Sequence, residues 1–308
     1  MRRPASLLPV AAATALLLTA CGTEHPGPGD TGAGATDPPS RTQVDDPGMN
    51  GVRITSLTLP SASPSPTRST SVSADSLPAD SGVLATYEVT NNGTKNLTYS
   101  VVFTFMSSDG GAVTNQTMTV RDVRPGKTAR GTVRAGELPP AAPRVTQAKV
   151  LEVSTVPAGE APADPGTCPA SGIRVSADKG DAAMGLRVVG LHLDNCGTRD
   201  YTVDGYPLLE LLDDDLDPVD GIEILDGSGD ITTGAGPDEP PRPVTLKPGE
   251  SATAGLVWRN TTEAGTAVNV PHVRVRAKAG ADPVTVTPHL DLGTTGKLGV
   301  RPWEKGER

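Results

Sequence analysis

From Gly51 onward, apolar and polar residues alternate with a period of two, the pattern of strands buried on one face. Val83, Ala85, Tyr87 and Val89 share one side of such a segment, and Leu97, Tyr99, Val101, Phe103 and Phe105 share one side of the next. Further strands are predicted at Val52–Leu59, Ala112–Val123, Lys127–Ala135 and Arg144–Val156, punctuated by turn signals at Asp109-Gly110-Gly111 and Pro125-Gly126. The Ser/Pro/Thr-rich stretch between Pro60 and Gly82 reads as a long surface loop. No segment keeps a helical period over about ten residues. The alternation divides the chain into a unit at 51–157, a linker of low hydrophobicity at 158–166, and a unit at 167–303.

The two units follow one plan. A strand runs into Asn92-Gly93-Thr94 in the first and into Asn195-Cys196-Gly197-Thr198 in the second. An apolar strand and an acidic turn follow, then Arg124-Pro125-Gly126-Lys127 or Lys247-Pro248-Gly249-Glu250 leading into another strand. Two copies of one sandwich are expected, with shared turn chemistry in unrelated domains as the alternative. From Gly93 to Pro125 is 32 residues and from Gly197 to Pro248 is 51, so the second copy carries 19 more.

Before Gly51 the pattern is absent. Arg2 and Arg3 precede an apolar run, Leu7 to Leu18, that is shorter than the roughly 20 residues a membrane span needs, so 1–20 reads as a secretory signal. Its end, Leu18-Thr19-Ala20-Cys21, resembles the bacterial lipoprotein signal, which implies lipid attachment at Cys21 and an anchor on the outer face of the cell membrane. Residues 22–50 hold 11 Gly or Pro and almost no large apolar side chains. With Cys21 they read as a flexible stalk, 21–50, with a reach of roughly 30 Å.

Charge narrows the partners. The chain carries −9, and losing Arg2 and Arg3 leaves 25 bases against 36 acids. An acid excess of that size argues against binding nucleic acid. The high Arg, Gly, Pro and Ala content suggests a GC-rich bacterial genome, such as an actinobacterium's.

With Cys21 committed to lipid, Cys168 and Cys196 remain in an oxidising compartment. Strands at 171–178 and 185–194 around a turn at 178–183 would form a hairpin centred on Ala182, the midpoint of the two cysteines, placing them within disulfide reach. Closing that loop is worth about 3.5 kcal/mol in the chain-entropy model.

The run Cys196-Gly197-Thr198, Tyr201-Thr202-Val203-Asp204-Gly205-Tyr206-Pro207 and Leu211-Leu212-Asp213 is similar to the hallmark of an actinobacterial family of secreted proteins and lipoproteins with a domain of unknown function, number 4232. Pro248-Gly249 before a strand ending in Trp258, and the tail Leu292-Gly293-Thr294-Thr295-Gly296, resemble it too. The resemblance spans 167–303 and implies an extracytoplasmic β-sandwich but no activity. Residues 83–135 resemble, more weakly, bacterial immunoglobulin-like domains. The expected fold class is therefore all-β, two tandem immunoglobulin-like β-sandwich domains after a disordered N-terminal stalk.

Candidate chemistry is sparse. Asp213, Asp214, Asp215, Asp217 and Asp220 invite calcium, but an EF-hand loop from Asp213 would need Gly and Glu where Pro218 and Ile224 stand, so a solvated turn is the simpler account and no metal or other cofactor is expected. The extra residues of the second unit are strongly acidic, and Gly221–Leu225 and Ile231–Thr233 are predicted to pair as an acidic hairpin. These five aspartates and Glu223 make up the candidate partner surface. In Pro271–Ala279, His272, Arg274, Arg276 and Lys278 are expected to face outward as a basic stripe, opposite Val273, Val275 and Ala277. His25, His192, His272 and His289 show no metal-ligand spacing, and His192 is expected to cap a sheet face. Trp258 is expected in the core as the single Trp of the β region. No Gly-x-Ser-x-Gly elbow is present.

These readings predict a membrane-anchored, non-catalytic binding or scaffold module facing an envelope protein or a cell-wall component. The alternative is a cell-wall hydrolase or sugar-modifying enzyme, betrayed by a deep cleft with converging acids.

Overall fold

A computed structural model describes residues 40–44, 46–60, 79–139, 141–232 and 240–306. Among the described residues every element is a β-strand except for one 3₁₀ turn, Ala158–Glu160. The signal segment, Cys21 and most of the stalk lie outside the described residues. None of the described helices is long and apolar enough to cross a membrane.

The first sandwich stacks two antiparallel sheets. One runs in the order Ser40–Gln43, Val52–Leu59, Leu84–Thr90, Thr128–Arg134; the other places Leu97–Met106 between Ala112–Val123 and Gln147–Pro157. Alternation decides the packing. Ala85, Tyr87 and Val89 from one sheet meet Tyr99, Val101, Phe103 and Phe105 from the other in one core, where the Tyr87 and Phe103 rings lie 4.8 Å apart. The stalk expected over 21–50 ends earlier than its composition indicates. Ser40–Gln43 pairs with Ser56–Leu59, and Asp46 accepts hydrogen bonds from the Gly48 and Ile54 amides, so the polar side chains of this segment sit on an exposed sheet edge.

The second sandwich is built on a long sheet in the order Ile173–Ala177, Leu186–Asn195, Ser251–Arg259, Lys297–Lys305, Glu223–Asp226. Across its core lie Leu208–Leu212, His272–Arg276 and Val284–Val286, with two short pairs, Tyr201–Val203 with Val244–Leu246 and Val268–Val270 with Leu290–Gly293. Trp258 is buried as expected and donates from Nε1 to Asp291 at 2.8 Å. It is not the only Trp of the β region: Trp303 in the last strand is equally buried and donates to the Ala277 carbonyl at 3.0 Å.

Cys168 and Cys196 are joined, with Cα atoms 5.7 Å apart. The symmetry about Ala182 is not what joins them. Ile173 pairs with Asn195, which centres the hairpin two residues later, and Asp181–Ala183 forms a second paired segment closed by the two-residue turn Met184-Gly185, both at positive φ. Asp178 accepts from the Gly180 and Gly190 amides at the irregularity between the two segments. A turn from Pro169 to Gly172 then folds Cys168 back onto Cys196, and Gly172 and Gly197 pack so closely that a Cβ on the former would lie 3.0 Å from the latter.

The two sandwiches repeat one polar joint to the atom. Asn91 is fully buried (0% exposed); its Nδ2 donates to the Lys95 and Val123 carbonyls and its Oδ1 accepts from Gly93 N–H. Asn195 (1% exposed) donates to the Arg199 and Leu246 carbonyls and accepts from Gly197 N–H. Main-chain bonds match as well: Asn91 N–H to Lys127 and Gly126 N–H to Asn91, against Asn195 N–H to Glu250 and Gly249 N–H to Asn195. The sequence alignment of the two Asn-Gly turns thus holds, but the anchor in the first copy is Asn91 rather than Asn92.

The expected linker at 158–166 is a strap clamped to both sandwiches. Glu160 Oε2 accepts from Arg274 Nε at 2.7 Å and Thr285 Oγ1 at 2.6 Å in the second sandwich, and Arg274 also binds Glu210 at 2.6 Å. Arg121 of the first sandwich donates to Asp164 and to the Pro162 carbonyl. Its composition is that of a spacer, but a handful of charged side chains pin it at both ends.

Candidate functional site

Between the sandwiches lies a polar cleft of about 540 Å³. From the first sandwich it takes the turns Asn50-Gly51 and Asn92-Gly93, together with Glu152 and Ser154 from the edge strand Gln147–Pro157. From the second it takes Asp214, Asp215, His272 and His289.

Local structure explains how the second sandwich supplies these groups. Leu212 pairs with His272, so the turn that follows Leu212 is held beside that histidine. Within it the Asp213 carboxylate is turned onto the chain, accepting from the amides of Asp215 and Asp217 at 2.9 Å each. That leaves Asp214 and Asp215 exposed at the cleft. His289, at φ 49°, brings its Nε2 to 3.1 Å from Glu152 Oε1 and 3.4 Å from Ser154 Oγ across the interface. His272 is 2% exposed, and its Nδ1 has no hydrogen-bond partner. Burial, with a smaller contribution from nearby His289, holds the imidazole below its usual range, and Asp214 and Asp213 only partly offset this.

The candidate partner residues do not form one surface. Asp214 and Asp215 reach the cleft, whereas Asp213 is spent on the turn and Asp217 and Asp220 point to solvent outside it. Glu223 lies on the edge strand of the long sheet, 3.6 Å from Lys297. Thr233 of the expected acidic hairpin lies outside the described residues, and among the described ones Gly221–Leu225 does not pair with Ile231 or Thr232. Glu223–Asp226 instead runs parallel to Lys297–Val300, and the Ile231 carbonyl accepts from Arg259 Nε at 3.1 Å. A partner strand already present in the sheet competed better than the local turn. Among the described residues, no three His, Cys, Asp or Glu side chains converge as a metal site.

The basic stripe is also redistributed. Val273, Val275 and Ala277 are buried as expected, but on the opposite face His272 is buried and the three basic side chains, each partly exposed, are engaged by the strap or by the second sandwich itself. Arg274 binds Glu160 and Glu210, Arg276 donates to the Ala281 carbonyl, and Lys278 donates to the Thr202 carbonyl with its ammonium 4.0 Å over the Tyr201 ring. His192 stands half-exposed 3.4 Å from Asp178, away from the cleft. Sequence reasoning missed His272, His289, Glu152 and Ser154 as a group, because 135 residues separate Ser154 from its histidine neighbour.

Residues 168–304 match a domain of unknown function, DUF4232, so that stretch is similar to the family suggested by its Cys-Gly-Thr and Gly-Tyr-Pro turns. The match begins at the disulfide-bonded Cys168 and ends in the last strand. No curated protein and no solved structure matches the chain.

Proposed function

We propose that the protein is a lipid-anchored, extracytoplasmic binding module, held to the cell membrane through Cys21, whose contact surface is the cleft between its sandwiches. The observation that carries this reading is the clamped joint. Glu160, Arg274 and Arg121 fix two sandwiches around a polar cleft to which both contribute, the arrangement expected where a ligand is recognised by two surfaces at once. The immunoglobulin-like character of the sandwiches belongs to the same proposal, as does an actinobacterial origin. The reading is non-catalytic, and in its support Ser154 and Glu152 approach the same nitrogen of His289, whereas a nucleophile–base–acid relay built from these three needs them on opposite nitrogens.

The test is a photo-crosslinking residue placed at Asn92 in the full chain in intact cells, with Cys21→Ser in parallel. The expected result is a discrete crosslinked envelope component, and loss of lipid labelling and membrane retention in Cys21→Ser. Release of cell-wall fragments by the purified protein, or the absence of any crosslink, would overturn it in favour of an enzyme or a passive envelope protein.

A further inference from the structure

We infer that the edge strand Ala112–Val123 of the first sandwich pairs with the same strand of a second copy of this chain, antiparallel about Thr117. The three-stranded sheets of the two copies then join into one continuous sheet.

A strand at the end of a sheet presents unpaired N–H and C=O groups that template another strand, unless shortness, charge, proline or a bulge spoils the match. Ala112–Val123 ends its sheet and, at 12 residues, is the longest strand among the described residues. Its pairing with Leu97–Met106 shifts register near both ends, which leaves Thr114–Val120 as a regular run between the irregularities. That run, Thr-Asn-Gln-Thr-Met-Thr-Val, holds no charge, proline or glycine. The other sheet ends are guarded. Thr128–Arg134 carries Arg130 and Arg134, ion-paired to Glu88 and Asp80. Gln147–Pro157 is bulged opposite Val102–Phe103 and carries Lys149, Glu152 and a terminal proline. Among the described residues, the remaining terminal strands of the sheets of three or more strands run to at most 5 residues.

The second sandwich carries the guarded form of the same edge. Val123 and Leu246 occupy equivalent places, each accepting from Nδ2 of the joint asparagine. In the second sandwich that strand is cut to Val244–Leu246 and preceded by Pro240-Pro241-Arg242-Pro243, whose prolines have no N–H to offer a neighbouring strand. In the first sandwich it runs back to Ala112 without a proline.

The chemistry of the strand selects its occupant. Met118 and Val120 pack on the core yet stay partly exposed, whereas Val101 and Tyr99, their partners in the next strand, are buried. A further strand covers them. A charged edge would find no counter-charge in Thr114–Val120, so the matching partner is an uncharged strand with the same alternation, which a second copy supplies. Antiparallel pairing about the midpoint of the run, Thr117, keeps the core-side residues of both copies on one face. Gln116 then stands opposite Met118 and Thr114 opposite Val120 on the core side, while Thr117 meets its counterpart and Asn115 meets Thr119 on the outer side, and no like charges meet between Thr114 and Val120. The two-fold axis through Thr117 closes the contact as a dimer.

The purified full chain is tested by sedimentation velocity and by oxidation of added-cysteine variants on non-reducing gels. The wild type should be mainly dimeric at about 100 µM, as a micromolar dissociation constant requires. Thr117→Lys sets two ammonium groups opposite one another at an exposed position, and should weaken association about fivefold while leaving the melting temperature unchanged. Thr117→Cys should give a disulfide-linked dimer, because directly opposed residues have Cα atoms about 4.5–5.5 Å apart. Asn115→Cys should not, since its counterpart lies about 13 Å along the strand, and neither should the wild type. A monomeric wild type at that concentration, undiminished association in Thr117→Lys, or equal linking by Asn115→Cys and Thr117→Cys would overturn the inference. Linkage of the Thr117→Cys variant to a different protein in intact cells, in place of a second copy, would overturn it in favour of a foreign strand.

Discussion

Asn91 and Asn195 sit at the same joint of two sandwiches, yet the chain between each and its long-range carbonyl partner differs. Asn91 reaches Val123 over 32 residues, and Asn195 reaches Leu246 over 51. The second loop is longer by the same 19 residues that separate the two spacings of turns. Lengthening a loop whose ends are already held together costs little, well under about 1 kcal/mol for less than a doubling. The anchored joint therefore tolerates insertion. The longer second loop holds the Asp213–Asp217 turn at the cleft and the Glu223–Asp226 strand at the sheet edge. The copies differ at the neighbouring position too, where Cys196 carries the disulfide in place of Asn92.

The largest effect should come from the anchors themselves. Asn91→Ala removes three hydrogen bonds inside a buried joint and should cost about 4 kcal/mol in denaturant unfolding, and Asn195→Ala should match it once the disulfide is reduced. With the disulfide intact, the bridge restrains the neighbouring turn, and Asn195→Ala should cost visibly less. Equal costs under both redox conditions would show that the bridge and the anchor act independently.

A smaller effect concerns whether the copies unfold together. Arg274→Met takes away the cation shared by Glu160 and Glu210, and should cost about 2 kcal/mol because two partly buried carboxylates lose their partner. Calorimetry should then resolve two transitions where one is expected for the wild type. A single transition in the variant would mean that the copies are coupled through other contacts.

The smallest effect distinguishes the copies by pH. Asp291 belongs to the second sandwich only. Burial alone would raise its carboxyl, but donation from Trp258 and Asn260 and the charge of Arg187 outweigh that and hold it below the usual range. A lowered folded-state value stabilises the protein above the ordinary carboxylate range, and that contribution is lost as pH falls through the lowered value. The group is partly exposed, so the effect is modest. Asp291→Asn should flatten the acid side of the stability profile, and an unchanged profile would show that Asp291 contributes nothing to it.

Much of this was legible in residue pattern, for reasons visible in individual strands. Val52–Leu59 and Ala112–Val123 are found where alternation placed them, because a strand buried on one face must alternate to fold at all. The Asn-Gly and Pro-Gly turns marked the repeat because their backbone requirements are local. The cysteine pair was right in its partners and wrong in its register, since the Asp178–Gly180 irregularity and the Pro169–Gly172 turn shift the hairpin without changing its composition. The acidic hairpin failed because a local turn signal cannot weigh an edge of the sheet more than 70 residues away in the chain against a nearby partner.

The sequence by itself determined the class of fold, the matching Asn-Gly and Pro-Gly turns of the two units and the covalent pairing of Cys168 with Cys196, since each depends on periodicity, turn chemistry or scarcity of alternatives. Only the tertiary structure decided what faces what. The outward side of the strand His272–Arg276 reads as a solvent-facing basic stripe until the first sandwich is set against it. Then His272 is a buried side chain beside a cleft and Arg274 a clamp on the strap. Alternation reports that a face is polar, because polarity is a property of each residue. Whether that polarity is spent on water, on a neighbouring domain or on a ligand depends on contacts between segments far apart in the chain, and these exist only once both sandwiches are folded and docked.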